Sequence, residues 1–246
     1  KIGDDEYGAF FRSYMEQNNI CAKLFPGKED TGKSIVLISP DSERTFATYL
    51  GAAIELDASD LDAPPFQGYD FFQLEGYLVQ NHALVEASVK LAQQAGCKIG
   101  IDLASFNIVE ANLDFLQEIV KNYVDIVFAN EEEARAFTGK KEPSEALEVI
   151  SKTCDIAVVK VGKDGSLIKR QNEIHHIKPI KAKAVDTTGA GDLYASGFFF
   201  GLAGGQGLDV CGKIGSITSG NIVEVMGAKM DETRWTAIRK QVKDLI

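Results

Sequence analysis

The run Asp186-Thr187-Thr188-Gly189-Ala190-Gly191-Asp192 gathers the residue types needed to meet a negatively charged ligand. Gly189, Ala190 and Gly191 carry little or no side chain, so a ligand can come close to the backbone. An apolar pattern of helical period follows at once, which makes their N–H groups orphan donors of a first helical turn. Such amides, reinforced by the helix dipole, suit the charge of a transferring phosphoryl group. Asp192 sits in the same turn and can reach a hydroxyl bound above it. A plainer account fits the same residues: Asp186 or Thr188 caps a helix, and the glycines permit close packing.

Asn130-Glu131-Glu132-Glu133 is a second cluster, placed directly after a strand pattern. Ligands of open α/β sheets bind at such strand ends, and Asn with carboxylates suits a hard Mg²⁺ ion largely satisfied by water and phosphate oxygen. Acids in a first helical turn are equally explained by the helix dipole.

Gly27-Lys28-Glu29-Asp30-Thr31-Gly32-Lys33-Ser34 matches the pattern G-x-x-x-x-G-K-[ST] letter for letter. That phosphate-binding loop needs a strand before it and a helix after it. Here the β-branched run Ile35-Val36-Leu37-Ile38 follows, and Glu29 and Asp30 would face the phosphates. We therefore expect a charged hairpin tip with no role in nucleotide binding. His82, His175 and His176 do not make a metal set, since adjacent residues of a strand point to opposite faces.

These groups need a scaffold, and the period of the apolar residues supplies one. Tyr7 to Asn18 has helical spacing. Ser34 to Ser39 and Arg44 to Tyr49, with a turn at Pro40-Asp41-Ser42, read as a small antiparallel ribbon within Ile20 to Asp60. From Tyr69 strands and helices alternate. Strands are expected at Asp70–Leu74, Lys98–Leu103, Asp125–Ala129 and Ile156–Val161. Helices are expected at Asn81–Ala95, Val109–Lys121, Glu131–Phe137 and Pro143–Ser151. Such repetition implies a mainly parallel sheet with helices on both faces. A hairpin, Gly165–Arg170 with Glu173–Ile177, is followed by helices at Gly189–Leu202, Leu208–Val223 and Glu232–Leu245. The first of these carries Tyr194, Phe198, Phe199 and Phe200, which reads as a helix buried on nearly all sides.

The chain has 246 residues, 45% apolar and 25% charged, enough for one large α/β domain. Lys and Arg total 26 against 36 Asp and Glu, a net charge of -10 that argues against nucleic acid or anionic membrane as a partner. The four cysteines are far apart and read as reduced thiols of a cytoplasmic protein.

Five segments in order resemble one family, the ribokinase/PfkB carbohydrate kinases. Asp186 to Asp192 resembles its C-terminal signature and Lys1 to Gly8 the tail of its N-terminal one. Asn130 to Glu133 is similar to its N-x-x-E motif, Lys160-Val161-Gly162-Lys163-Asp164-Gly165 to its nucleotide loop, and Gly227-Ala228 to its late Gly-Ala pair. Asp41 to Phe46 with Tyr49 to Ala52 looks most like adenosine kinases or general sugar kinases.

The resemblance implies a single ribokinase-like domain over 1–246, with 20–60 contributing a β lid. It also implies ATP-dependent phosphoryl transfer to a small sugar or nucleoside, with Mg²⁺ and, as a further ion, K⁺. Asp192 would be the base, and Gly189, Ala190 and Gly191 the anion hole. Asn130 and Glu133 would organise Mg²⁺ and phosphate, Glu133 through water. Gly162 and Gly165 would shape the loop over the nucleotide, with Lys160 able to supply charge to the phosphates and Ser216 on the helix lining the adenine pocket. Glu75 would touch the sugar, and Asp186 and Thr188 would hold the monovalent cation. A homodimer through the lid is a further expectation of the resemblance. Lys1-Ile2-Gly3-Asp4-Asp5 reads as the end of a strand already under way, so a preceding segment with the first core strands and a Gly-Gly/Asn substrate motif is also expected. A non-catalytic sugar- or nucleotide-binding protein that kept the fold is the alternative.

Overall fold

The computed structural model describes residues 1–38 and 44–246. Helix α1 (Glu6–Gln17) begins at Asp5, whose side chain accepts a hydrogen bond from the Gly8 amide at 2.8 Å. Strands β1 (Lys33–Ile38) and β2 (Arg44–Tyr49) pair antiparallel, with Ile35 opposite Ala47 and Val36 opposite Phe46. The turn expected at Pro40-Asp41-Ser42 lies outside the described residues. Short 3₁₀ turns at Gly51–Glu55, Ala58–Asp60 and Pro64–Phe66 follow.

The main sheet then begins with β3 (Phe71–Glu75), α2 (His82–Gln94) and β4 (Lys98–Asp102). It continues through α3 (Phe106–Ala111), α4 (Leu113–Tyr123), β5 (Ile126–Asn130), α5 (Glu131–Thr138), α6 (Pro143–Ile150) and β6 (Ile156–Lys160). A hairpin of β7 (Ser166–Arg170) and β8 (Glu173–Ile177) leads to helices α7 (Ala190–Ala203), α8 (Leu208–Ile222) and α9 (Glu232–Leu245). The six strands lie in the order β3-β4-β5-β6-β7-β8. The first four are mutually parallel, and β7 and β8 add antiparallel.

The pleat sorts the strand residues into two cores. Ile99, Ile101, Val127, Ala129, Ala157 and Val159 pack with residues of α2 to α6 on one face. Ile126, Phe128, Ile156 and Val158 pack with Tyr194 and Phe198 of α7 on the other. Each of the fully buried Val, Ile and Phe side chains stabilises the fold by about 1.5–3 kcal/mol. The register puts Glu75 beside Asp102, Asp102 beside Phe128, and Lys160 beside Asn130. Since residues two apart share a face, Glu75, Asp102 and Lys160 all belong to the α7 side, at the C-terminal ends of their strands.

Three expectations are corrected. The helix expected over Val109–Lys121 is two helices that meet at Asn112, whose φ of −130° leaves the helical region and whose side-chain Nδ2 donates to the Ile108 carbonyl. Asparagine competes in this way with the helical ladder. Helix α7 is not buried all round: Phe198 is inaccessible, but Phe200 is 60% exposed. Gly27–Ser34 is not a hairpin tip but a packed segment leading into β1. A Cβ on Gly27 would collide with Ala52, and the Gly3 amide donates to Thr31 Oγ1 at 3.0 Å.

Candidate active site

Asp186 organises the turn before α7. Its carboxylate is 1% exposed. Oδ1 accepts from the Thr188 amide at 2.9 Å and from Thr188 Oγ1 at 2.6 Å, while Oδ2 accepts from the Gly227 amide at 2.8 Å. One carboxylate thus joins the turn to the segment after α8. Gly189 is the residue before the helix and has φ +79°, a left-handed conformation that glycine adopts without the Cβ penalty. The Ala190 amide donates to the Thr187 carbonyl at 3.2 Å. Gly191 and Asp192 lie in the first helical turn, where amides have no preceding intrahelical acceptor. Asp192 is exposed at the sheet's C-terminal edge.

The charge facing this turn comes from β6. A Cβ placed on Gly191 would lie 3.2 Å from Lys160 Nζ and 4.0 Å from Asp102 Oδ2. Lys160 Nζ donates to Asp102 Oδ2 at 2.6 Å, across the end of the intervening β5. The pair is largely enclosed, with side chains 17% and 13% exposed. The other oxygen, Asp102 Oδ1, accepts from the Ala104 amide at 3.1 Å. Ala104 has φ +65°, a conformation that costs a residue with a Cβ roughly 1–2 kcal/mol. The sequence reading did not single out Asp102. The signal was there: one acid closing an otherwise apolar strand, Ile99-Gly100-Ile101-Asp102.

Asn130 and Glu133 form a reciprocal cap at the start of α5. The Glu133 amide donates to Asn130 Oδ1 at 2.9 Å, while the Asn130 amide and Nδ2 donate to the two Glu133 oxygens at 2.8 and 2.6 Å. Burial pushes the Glu133 carboxyl up to about 7, with Lys160 opposing and Asp102 adding to the rise. Glu75 is likewise pushed up to about 7, by burial first and then by Asp102 and Asp192. Glu75, Asp102, Asp192, Glu133 and Lys160 therefore share one electrostatic environment.

Gly162, Gly165 and Ser216 are the other residues expected at the site. Gly162 has φ +51° with open space at its Cβ position. Gly165 has φ +98°, and a Cβ there would collide with the Ile177 carbonyl, so the β7–β8 hairpin itself requires this glycine. Ser216 is buried; its Oγ donates to the Lys178 carbonyl and accepts from the Ile180 amide, both at 3.2 Å. It thereby fixes the segment that follows β8. His82 stacks on Phe115 with ring centroids 3.7 Å apart. Among the described residues no group of three His, Cys, Asp or Glu side chains could hold a metal ion, and no helix is long and apolar enough to cross a membrane. A 330 Å³ cleft lies at the opposite, N-terminal edge of the sheet, beside the Lys98–Asp125 ion pair, away from all these residues.

Residues 1–234 match the pfkB family carbohydrate kinase model, and the chain belongs to that family. It is 24% identical to an uncharacterized sugar kinase of Archaeoglobus fulgidus, over 93% of this chain and 91% of the relative. It is 25% identical to the aminoimidazole riboside kinase of Salmonella typhimurium, over 82% of this chain but only 66% of that protein, just under two thirds of its length. The crystal structure of adenosine kinase from Sinorhizobium meliloti superposes with a TM-score of 0.90 at 30% identity, covering 98% of this chain and 76% of that one. The fold is ribokinase-like, a mostly parallel sheet with a small antiparallel ribbon beside it.

Proposed function

We propose that this chain carries out ATP-dependent phosphoryl transfer to a hydroxyl of a small sugar or ribonucleoside. The observation that carries the reading is the meeting, at one sheet edge, of a glycine turn opening α7, a lysine ammonium over Gly191, and the carboxylate of Asp192 in the same helical turn. Phosphoryl transfer asks mainly for alignment and for stabilisation of charge on the transferring group. Amides of Gly189 and Gly191, with Lys160, serve the second need, and the Ala190 amide joins them by giving up its bond to the Thr187 carbonyl. Asp192 serves the first: it orients the acceptor hydroxyl and takes its proton.

The residues present fit a magnesium nucleotide. The enclosed cation over an open glycine turn suits an anionic phosphate. Both Glu133 oxygens are already hydrogen-bonded, which suits a water-mediated role beside Asn130 rather than a cage of direct ligands. Mg²⁺ would neutralise charge on the phosphates. Gly162 and Gly165 shape the loop over the nucleotide, Ser216 supports the adenine side, and Glu75 faces the sugar hydroxyls. Asp186 and Thr188 with carbonyls near Gly227 would take K⁺. The β1–β2 ribbon would be the lid and a homodimer contact, a role supported by Ile35 at 65%, Leu37 at 61% and Phe46 at 52% exposure.

The test is ADP release from ATP and Mg²⁺ by the full-length protein across a panel of sugars and ribonucleosides, in KCl and in an organic-cation salt of equal ionic strength. Turnover with one acceptor is the expected result. Tight ligand binding without ADP above background would instead support a non-catalytic binding protein, and equal rates in the two salts would remove K⁺.

A further inference from the structure

The Lys160–Asp102 pair is set where two demands on one ammonium compete. Lys160 Nζ is 2.6 Å from Asp102 Oδ2 and faces the Gly191 turn, where the transferring phosphoryl group would sit. Asp102 is itself anchored, because its second oxygen accepts from the Ala104 amide of a left-handed turn. Lysine is long enough to cross from β6 past the end of β5, so no shorter cation could serve from that position. Its ammonium is a compact charge on a flexible stem, able to change partner without movement of the strand. Asp102, held by backbone, is the fixed member and Lys160 the mobile one.

We propose that Asp102 is a positioning residue: it parks the Lys160 ammonium over the phosphoryl turn and yields it to the phosphates when the triphosphate binds. The inference rests on the kinase reading of the same site. An enclosed ammonium needs a counter-charge whether or not nucleotide is present, and Asp102, 2.6 Å away, is placed to supply it. Pre-placement also spares the ordering of a long side chain at the moment of binding. The arrangement has a cost in affinity, because the phosphates must compete with a carboxylate for the same donor. Binding of the triphosphate and its reactivity are therefore set against each other by one residue.

The experiment is a double-mutant cycle with Asp102→Asn and Lys160→Met in the full-length protein, reading ATP Kd by calorimetry without acceptor and kcat with the best acceptor. Asp102→Asn is expected to tighten ATP binding by roughly 3–10-fold, the scale of one lost like-charge competitor in a partly enclosed site. It is also expected to lower kcat about 10-fold, because the freed ammonium is no longer held over Gly191. Both effects should vanish in the Lys160→Met background, which marks them as acting through the ammonium. Asp102→Glu, which keeps the charge, should restore wild-type Kd. Unchanged Kd in Asp102→Asn, or equal tightening with and without Lys160, would overturn the proposal. A wild-type protein that binds ATP but never turns it over would sink the kinase reading, and the Kd cycle would still decide the pair. A melting-temperature loss shared by both single variants without any Kd change would reduce the pair to a structural ion pair.

Discussion

Two glycine-containing segments of this chain advertise phosphate binding, and the structure uses them differently. Gly27–Ser34 spells out the better-known motif, yet its amides are already taken: Lys28 and Glu29 donate to the Glu55 carboxylate at 2.9 and 2.8 Å. A strand follows, not a helix, and Lys33 is paired with Asp30 at 3.6 Å and lies over the Tyr7 ring. Thr187–Asp192 spells out less, but it opens helix α7 and faces a lysine. Both segments bring backbone N–H groups together. In one the Glu55 carboxylate occupies the amides of Lys28 and Glu29; in the other Asp186 holds only the Thr188 amide, and the Lys160 ammonium stands opposite Gly191. The partner sign and the element that follows, more than the letters, decide which nest is available to a ligand.

The largest test of this contrast is Asp192→Asn, which keeps shape while removing the proton acceptor. We expect kcat to fall by roughly 10²–10⁴-fold, the scale of a positioned acid–base group, with ATP Kd little changed or tighter. Retention of more than about a tenth of wild-type kcat would refute the assignment of the base. A purely structural aspartate would show up instead as a lower melting temperature with near-normal kcat.

A glutamate facing each segment titrates in its own sense, Glu55 against the Lys28 and Glu29 amides and Glu75 against Asp192. Glu55 is held below its ordinary 4.5 by the Lys28 and Glu29 amides. Its contribution to stability is complete above that value and is lost as the pH falls through the depressed one. Glu75 behaves in the opposite sense. With its carboxyl raised from 4.5 to about 7, its favourable contribution is complete below 4.5 and disappears as the pH climbs to about 7. Melting curves from pH 3 to 8 should therefore flatten between 4.5 and 7 in Glu75→Gln. Glu55→Gln should lose stability at neutral pH and converge on wild type in acid. Identical pH profiles for both variants would show that the two sites are not electrostatically opposed.

The smallest effect belongs to Lys33. Lys33→Ala should leave ATP affinity within a few-fold of wild type, because this lysine faces Asp30 and Tyr7. A loss of roughly 100-fold with the fold intact, about 2.7 kcal/mol of binding, would make the first segment a nucleotide site after all.

Sequence period located the strands of the parallel sheet to within a residue or so, because Ile99, Ile101, Val127 and Val159 must all face one layer of helices. It also located the cap at Asn130 and Glu133, where local chemistry is sufficient. It failed where the outcome turns on a side-chain bond, an exposure or a partner that spacing does not reveal. Asn112 looks like any polar residue of a helix until its backbone departs from the helical region. Phe200 looks like core, but the side of α7 that carries it is left open. Asp102 drew no attention because its meaning comes from a lysine 58 residues away in the chain. Spacing within one element is written in the sequence; a pairing across three strands is a property of the sheet.

The Asp186 carboxylate has a dynamic consequence. Because it accepts from Thr188 on one side and from the Gly227 amide on the other, neither loop can open without breaking a bond held by the other. The amide hydrogens of Thr188 and Gly227, 39 positions apart in the chain, should exchange with solvent through one shared opening event. The turn before α7 and the loop after α8 then form a single cooperative unit, and whatever orders one of them also slows the breathing of the other.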